Sequence, residues 1–162
     1  MIIALLTALS MLCDSFVYDK INSIPEEIGK ARHAVIEEFE RDGYAEDYGG
    51  HYVEGGRIAV VVCLTGEADR YASLALQHPC ISFRQVQYSY EELLEYQRRF
   101  DEEVAPLLKD IDDLSAQISE QYNCIALSIP KEQHTLENVC RIREAAGDIP
   151  IVFQPPASVH IF

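Results

Sequence analysis

Basic residues are scarce in this chain. Only 13 Lys and Arg stand against 27 Asp and Glu, a formal net charge of −14 over 162 residues. A duplex-binding surface needs clustered Lys and Arg to displace counterions from phosphates. No such cluster exists here, so nucleic acid and anionic membrane surfaces are poor partners. A cationic or neutral protein surface is the easier electrostatic match. Long apolar runs are missing too. Beyond the first turns of the chain nothing approaches the run of about 18 apolar residues that a spanning helix needs. No stable membrane insertion is expected once a leader is removed.

Catalytic and metal signatures are also lacking. Cys13, Cys63, Cys80, Cys124 and Cys140 contain no CxxC pair. Their odd number fits neither a full disulfide framework nor a zinc module. His33, His51, His78, His134 and His160 are scattered, without HxxxH or HExxH spacing. There is no GxGxxG or GxxxxGK[ST] loop, no GxSxG elbow and no Gly-Asp-Ser-Gly-Gly context for a trypsin-like nucleophile. No cofactor is expected, and no catalytic or metal-binding residue is assigned. The acidic pairs Glu26/Glu27, Glu37/Glu38, Glu91/Glu92, Glu102/Glu103 and Asp112/Asp113 read as solvated helix faces, as does Glu40. Cys63 and Cys124, inside apolar strand-like runs, read as small buried hydrophobes. A thiol-dependent enzyme would instead use Cys80 with His78, or Cys63, and would require a low-pKa thiol.

What is present supports a packed core. Apolar residues make up 48% of the chain, enough for one domain of ordinary size or two small ones sharing a core. Residues 1–15 form an apolar segment. Met1–Leu12 has the length of a signal-peptide core but no Lys or Arg before it, so a secretion signal and a buried first helix both stay open. A secreted or cell-surface location follows from the first reading, a cytoplasmic one from the second. Ser23-Ile24-Pro25-Glu26 reads as a capping box, and Ile28, Ala31, Val35 and Phe39 then repeat at helical spacing, so 24–42 is a predicted amphipathic helix.

The rest falls into two similar units. Gly55-Gly56 between extended runs signals a hairpin, and Ile58–Thr65 is a buried central strand. A short helix over Glu67–Leu76 and a strand over Cys80–Ser89 complete a first ββαβ unit at 48–89. A connecting helix spans 90–114, with Pro106 predicting a kink. A second hairpin, a helix over Thr135–Ala146 with Leu136, Val139, Cys140 and Ile142 inward, and a strand over Ile149–Phe153 make a second unit at 115–155. Residues 156–162 are a tail. Ile58 aligns with Ile125 and Gln87 with Gln154, which reads as an internal duplication. The expected fold class is α+β: two three-stranded antiparallel sheets, each crossed by a helix on one face and open on the other. An open face or unpaired edge is where another chain adds.

Two segments carry a resemblance. Tyr48-Gly49-Gly50-His51-Tyr52 with the following hairpin and Val60-Val61-Val62-Cys63-Leu64-Thr65 resembles the prodomain-type region of secreted bacterial trypsin-like serine proteases, the α-lytic protease and streptogrisin precursors among them. Val86-Gln87-Tyr88-Ser89-Tyr90-Glu91-Glu92-Leu93 resembles the segment joining its two halves. The likeness covers about residues 44–155 and leaves out the protease domain. It implies a non-catalytic module that acts as chaperone or inhibitor of a trypsin-like serine protease by edge-strand pairing. On this chain the pairing residues would be Ile149, Pro150, Ile151, Val152, Phe153 and Gln154, with Phe162 in the tail that follows. A truncated or remnant domain without present activity is the alternative within the same group.

Overall fold

The computed structural model describes residues 26–41, 43–55 and 59–154. The apolar Met1–Leu12, most of the predicted capping box at Ser23-Ile24-Pro25, and the tail with Phe162 lie outside the described residues. Helix α1 (Glu26–Phe39) buries Ile28, Ala31, Val35 and Phe39, the stripe that its spacing predicts. Strands β1 (Tyr48–Glu54) and β2 (Ala59–Leu64) pair antiparallel. A 3-10 turn and helix α2 (Ala72–Gln77) lead to β3 (Ile81–Gln85). Helix α3 (Tyr90–Arg99) starts at a capping box in which Ser89 and Glu92 satisfy each other's amides. The second unit runs β4 (Ser115–Ser119), β5 (Cys124–Ser128), α4 (Leu136–Ala146) and β6 (Ile151–Phe153).

The fold class is α+β with two three-stranded sheets, ordered β1-β2-β3 and β4-β5-β6. The sheets are mixed rather than antiparallel throughout. β3 runs parallel to β2, and β6 parallel to β5. The reason lies in the connections: a tight hairpin reverses direction, whereas a helix crossing the sheet returns the chain to the same end. Equivalent ladder bonds define the duplication. The Val60 amide donates to Cys80 O (2.9 Å) as the Ile125 amide does to Pro150 O (2.8 Å). The Val86 amide donates to Leu64 O (2.9 Å) as that of Gln154 does to Leu127 O (2.8 Å). These are the first and last bonds of each parallel ladder, which pairs five residues in the first unit and three in the second.

Two helices differ from their predicted form. The predicted 90–114 helix is α-helical only to Arg99; Phe100–Val104 is a π-turn and Ala105–Leu108 a 3-10 turn. Pro106 has no amide to continue the α ladder, and the extra residue of the π-turn keeps Phe100, Val104 and Leu108 all facing the second core. On α4, Ile142 and Ala146 are buried, but Leu136 is 81% exposed and Cys140 is also exposed. The stripe ending at Ala146 faces the sheet, which turns Leu136 and Cys140 outward. Among the described residues, no helix is long and apolar enough to cross a membrane.

Each unit has its own core. Tyr48, Val60, Val62, Leu64 and Ile81 pack under α1. Ile125, Leu127 and Ile142 pack with Phe100 and Val104. The outer face of the first sheet is not open, as the sequence suggested. Val61 and Cys63 point to that face yet are buried. The turn between β4 and β5 lies over them: Cys63 Sγ donates to Glu120 O (3.5 Å), and Arg84 Nη1 donates to Gln121 O (2.8 Å). Asn123 completes this joint. Its Oδ1 accepts from the amides of Gln87 (3.1 Å) and Tyr88 (2.8 Å), and its Nδ2 donates to Tyr88 O (2.8 Å). Asn123 is buried at a φ of 50°, a left-handed conformation that Asn tolerates better than most residues. Asn123→Gly keeps that backbone and deletes the three side-chain bonds. Urea unfolding is expected to show a loss of about 2–3 kcal/mol, and an unchanged midpoint would mean that the amide does not hold the units together.

Candidate functional site

The edge strand β6 is the first candidate, and the structure places its predicted residues individually. Ile149 is buried at the end of the α4–β6 turn. Pro150 lends its carbonyl to Ile125, and Gln154 its amide to Leu127. In a parallel ladder alternate residues make both bonds to one neighbour. Pro150, Val152 and Gln154 therefore serve β5, and the amides and carbonyls of Ile151 and Phe153 face outward from the sheet. β6 is the last strand of its sheet, and Ile151, Val152 and Phe153 are half-buried. Ile151 and Phe153 pack on the core side, with Val152 on the outer face beside Ala126 and Gln117. His134 meets the Phe153 ring edge-on at 5.8 Å, and the Arg143 guanidinium lies over the ring at 5.7 Å. Phe162 lies outside the described residues.

A second constellation was not legible from the motifs. The register of β1 shifts between Tyr48 and His51, at Gly49-Gly50. Strict alternation would send residues 48 and 51 to opposite faces. The bulge instead puts both on the core side, Tyr48 opposite Leu64 and His51 opposite Val62. α1 ends at Phe39, so Glu40 leaves the solvated face expected for it and turns inward. Tyr48 Oη donates to Glu40 Oε1 at 2.5 Å. His51 Nδ1 lies 2.6 Å from the same phenol oxygen. With the phenol hydrogen committed to Glu40, Nδ1 must carry the hydrogen of the second bond, which fixes the imidazole tautomer. Glu120 approaches from the β4–β5 turn and accepts from the His51 amide. It occupies the space in front of Gly50, whose φ is 102° and where a Cβ would lie 2.6 Å from Glu120 Cγ. The signal for this cluster was the Gly-Gly pair inside a strand, which marks a bulge as readily as a turn.

Burial dominates the electrostatics of this cluster. It pushes the Tyr48 phenol far above its ordinary range, with Glu40 adding to the effect. It lowers the His51 imidazole, against the opposing pull of Glu40. It raises the Glu120 carboxyl, helped by repulsion from Glu40 and opposed by Arg32. An imidazole, a phenol and the side chains of Glu40 and Glu120 thus form a polar joint between the units. A parallel network holds Asp47, which accepts from Tyr71 Oη (2.6 Å) and from Arg70 Nη1 (3.2 Å). The Tyr71 phenol is pushed up to about 12 by burial and by that carboxylate.

The thiol reading divides by residue. Burial raises the Cys63 thiol to about 11, so it is protonated at neutral pH and is a poor nucleophile. Cys80 and His78 line one hollow of about 680 Å³ with Lys30, Pro79, Ile81 and Ser82, and Cys80 Sγ faces Glu27 O at 3.7 Å. Among the described residues, no three His, Cys, Asp or Glu side chains converge to hold a metal. Neither known protein families nor curated proteins provide a match to the chain.

The cluster sets opposing pH dependences. His51 has its folded pKa below the unfolded value, so its contribution is present above about pH 6.5 and is lost as pH falls towards the folded pKa. Glu120 has its folded pKa above the unfolded value, so its contribution is present below the unfolded pKa and is lost as pH rises through the folded one. Urea unfolding at pH 5 and pH 7 is expected to show His51→Gln losing part of the gain in stability with rising pH. Glu120→Gln is expected to show a larger stability relative to the native chain at pH 7 than at pH 5. Parallel pH profiles for all three proteins would contradict the assignment.

Proposed function

We propose that the chain is a non-catalytic binding module that accepts a partner strand along β6, with a trypsin-like serine protease as the partner that it chaperones or inhibits. The observation that carries this reading is the outer edge of β6, which no other strand among the described residues pairs. Natural edge strands are guarded by charges, bulges or covering segments. Ile149–Gln154 contains no charged residue, and its one proline, Pro150, points its carbonyl towards β5. The outward amides and carbonyls of Ile151 and Phe153 match the backbone pattern of strand addition. The residues Ser115, Gln117, Ala126, Ser128 and Val152, which point to the outer face of this sheet, carry no charge. The protease half of the reading rests on the likeness of the Tyr48–Thr65 and Val86–Leu93 segments to prodomain-type regions. The net charge of −14 favours a basic or neutral partner body.

A panel of trypsin-like serine proteases, assayed for inhibition and for refolding yield, tests the proposal. The chain is expected to bind at least one at micromolar concentration. Phe153→Pro deletes an outward amide and is expected to weaken that binding about tenfold or more. Phe153→Ala, which keeps the amide, separates edge pairing from loss of the ring. No effect on any protease overturns the protease assignment. Equal affinity of the native chain and Phe153→Pro overturns pairing along β6.

A further inference from the structure

We infer that the strand accepted by β6 carries a carboxylate side chain at the position that comes to lie beside Phe153 on the α4 side. This rests on the reading of β6 as a pairing edge and specifies the chemistry of what pairs there. Most of the arginines near this end of the molecule are already committed. Arg99 pairs with Asp148 at 2.7 Å, and Arg141 pairs with Asp110 at 2.8 Å. Arg143 differs. It is exposed, its guanidinium lies over the Phe153 ring at 5.7 Å, and no carboxylate among the described residues pairs with it. Arg70 and Arg99 also lie over tyrosine rings, but each is paired with a carboxylate, whereas Arg143 stands beside a strand edge that nothing among the described residues pairs.

Geometry makes that cation available to a guest. An added strand lies about 4.8 Å from β6, and its side chains alternate between the two faces as those of β6 do. A guest residue on the α4 side, next to Phe153, is a direct neighbour of the ring and of the guanidinium over it. His134, edge-on to the same ring, gives that side a second imidazole donor. The Phe153 ring keeps the guanidinium within 5.7 Å of the strand's edge residue, so a carboxylate placed there meets a cation with several N–H donors. Guest residues pointing the other way lie beside Val152, which carries no charge to select among them. The expected guest is an extended, otherwise neutral or basic segment with one acid on its α4-facing side.

Selection of a phage-displayed random octapeptide library against the immobilised native chain, Phe153→Pro and Arg143→Gln tests this directly. Peptides enriched on the native chain are expected to share Asp or Glu at one fixed position and to be lost on Phe153→Pro. Arg143→Gln is expected to retain extended binders without the acid preference. A synthetic peptide of the most enriched sequence should weaken about fivefold on the native chain when its acid becomes the amide, and should not change on Arg143→Gln. Binders that need the Phe153 amide but show no fixed acid overturn this inference alone. An absence of binders, or binders indifferent to Phe153→Pro, overturns the pairing edge itself.

Discussion

Asn123 satisfies three backbone groups of the segment between β3 and α3 from within the turn that joins β4 to β5. That arrangement is the constraint on which the two-unit architecture rests. Each unit is a three-stranded sheet with its own core on one face, and Val61 and Cys63 on the other face of the first sheet need a cover of their own. The β4–β5 turn solves this for the first unit by covering Val61 and Cys63 with its own backbone. Glu120 fills the space left in front of Gly50, and Arg84 binds the Gln121 carbonyl. The joint's polar contacts run to backbone carbonyls and amides and centre on one buried Asn side chain. Its integrity therefore depends on a few exact side chains.

The buried carboxylates belong to the same joint. Glu40 and Glu120 reach His51 from opposite units, one at its phenol-bridged side chain and one at its amide. Such a cluster superficially has the parts of an acid–base site. The Tyr48 ring and His51 are buried, the phenol hydrogen is held by Glu40, and the imidazole tautomer is fixed by the phenol. These features suit a positional lock between two packed units, in which satisfied polar groups specify one arrangement. The repulsion between the two carboxylates is the cost of building that lock from acids.

The periodic signals were the legible ones. Ile28, Ala31, Val35 and Phe39 gave α1, and the β-branched run of β2 gave a central strand, because burial on one face imposes a repeat that survives in the sequence. The hairpin–helix–strand order gave the α+β class and the repeat. Strand direction was not visible in residue patterns, since β3 and β6 are set parallel by how α2 and α4 return the chain. The inward side of α4 was misjudged at Leu136 and Cys140, because the stripe that faces the sheet runs through Ile142 and Ala146 and turns those two outward. The Glu40–Tyr48–His51–Glu120 cluster was missed for a different reason. It joins residues from three elements through a bulge, and the Gly49-Gly50 signature of that bulge also fits an ordinary turn. The edge strand was legible as a strand, while Arg143 over Phe153 was not, because that contact depends on how α4 is rotated over the sheet.

The proposed function rests on one outward row of backbone groups on β6. The sheet holds that row in place, and α4 sets the Arg143 cation beside it. Hydrogen exchange resolved to single amides examines that row most directly. In the free chain the amides of Ile151 and Phe153 should exchange rapidly while those of Val152 and Gln154 are protected, and binding of a partner should slow the first pair. Equal, strong protection of all four amides in the free chain, or no change at Ile151 and Phe153 in a complex, would contradict it.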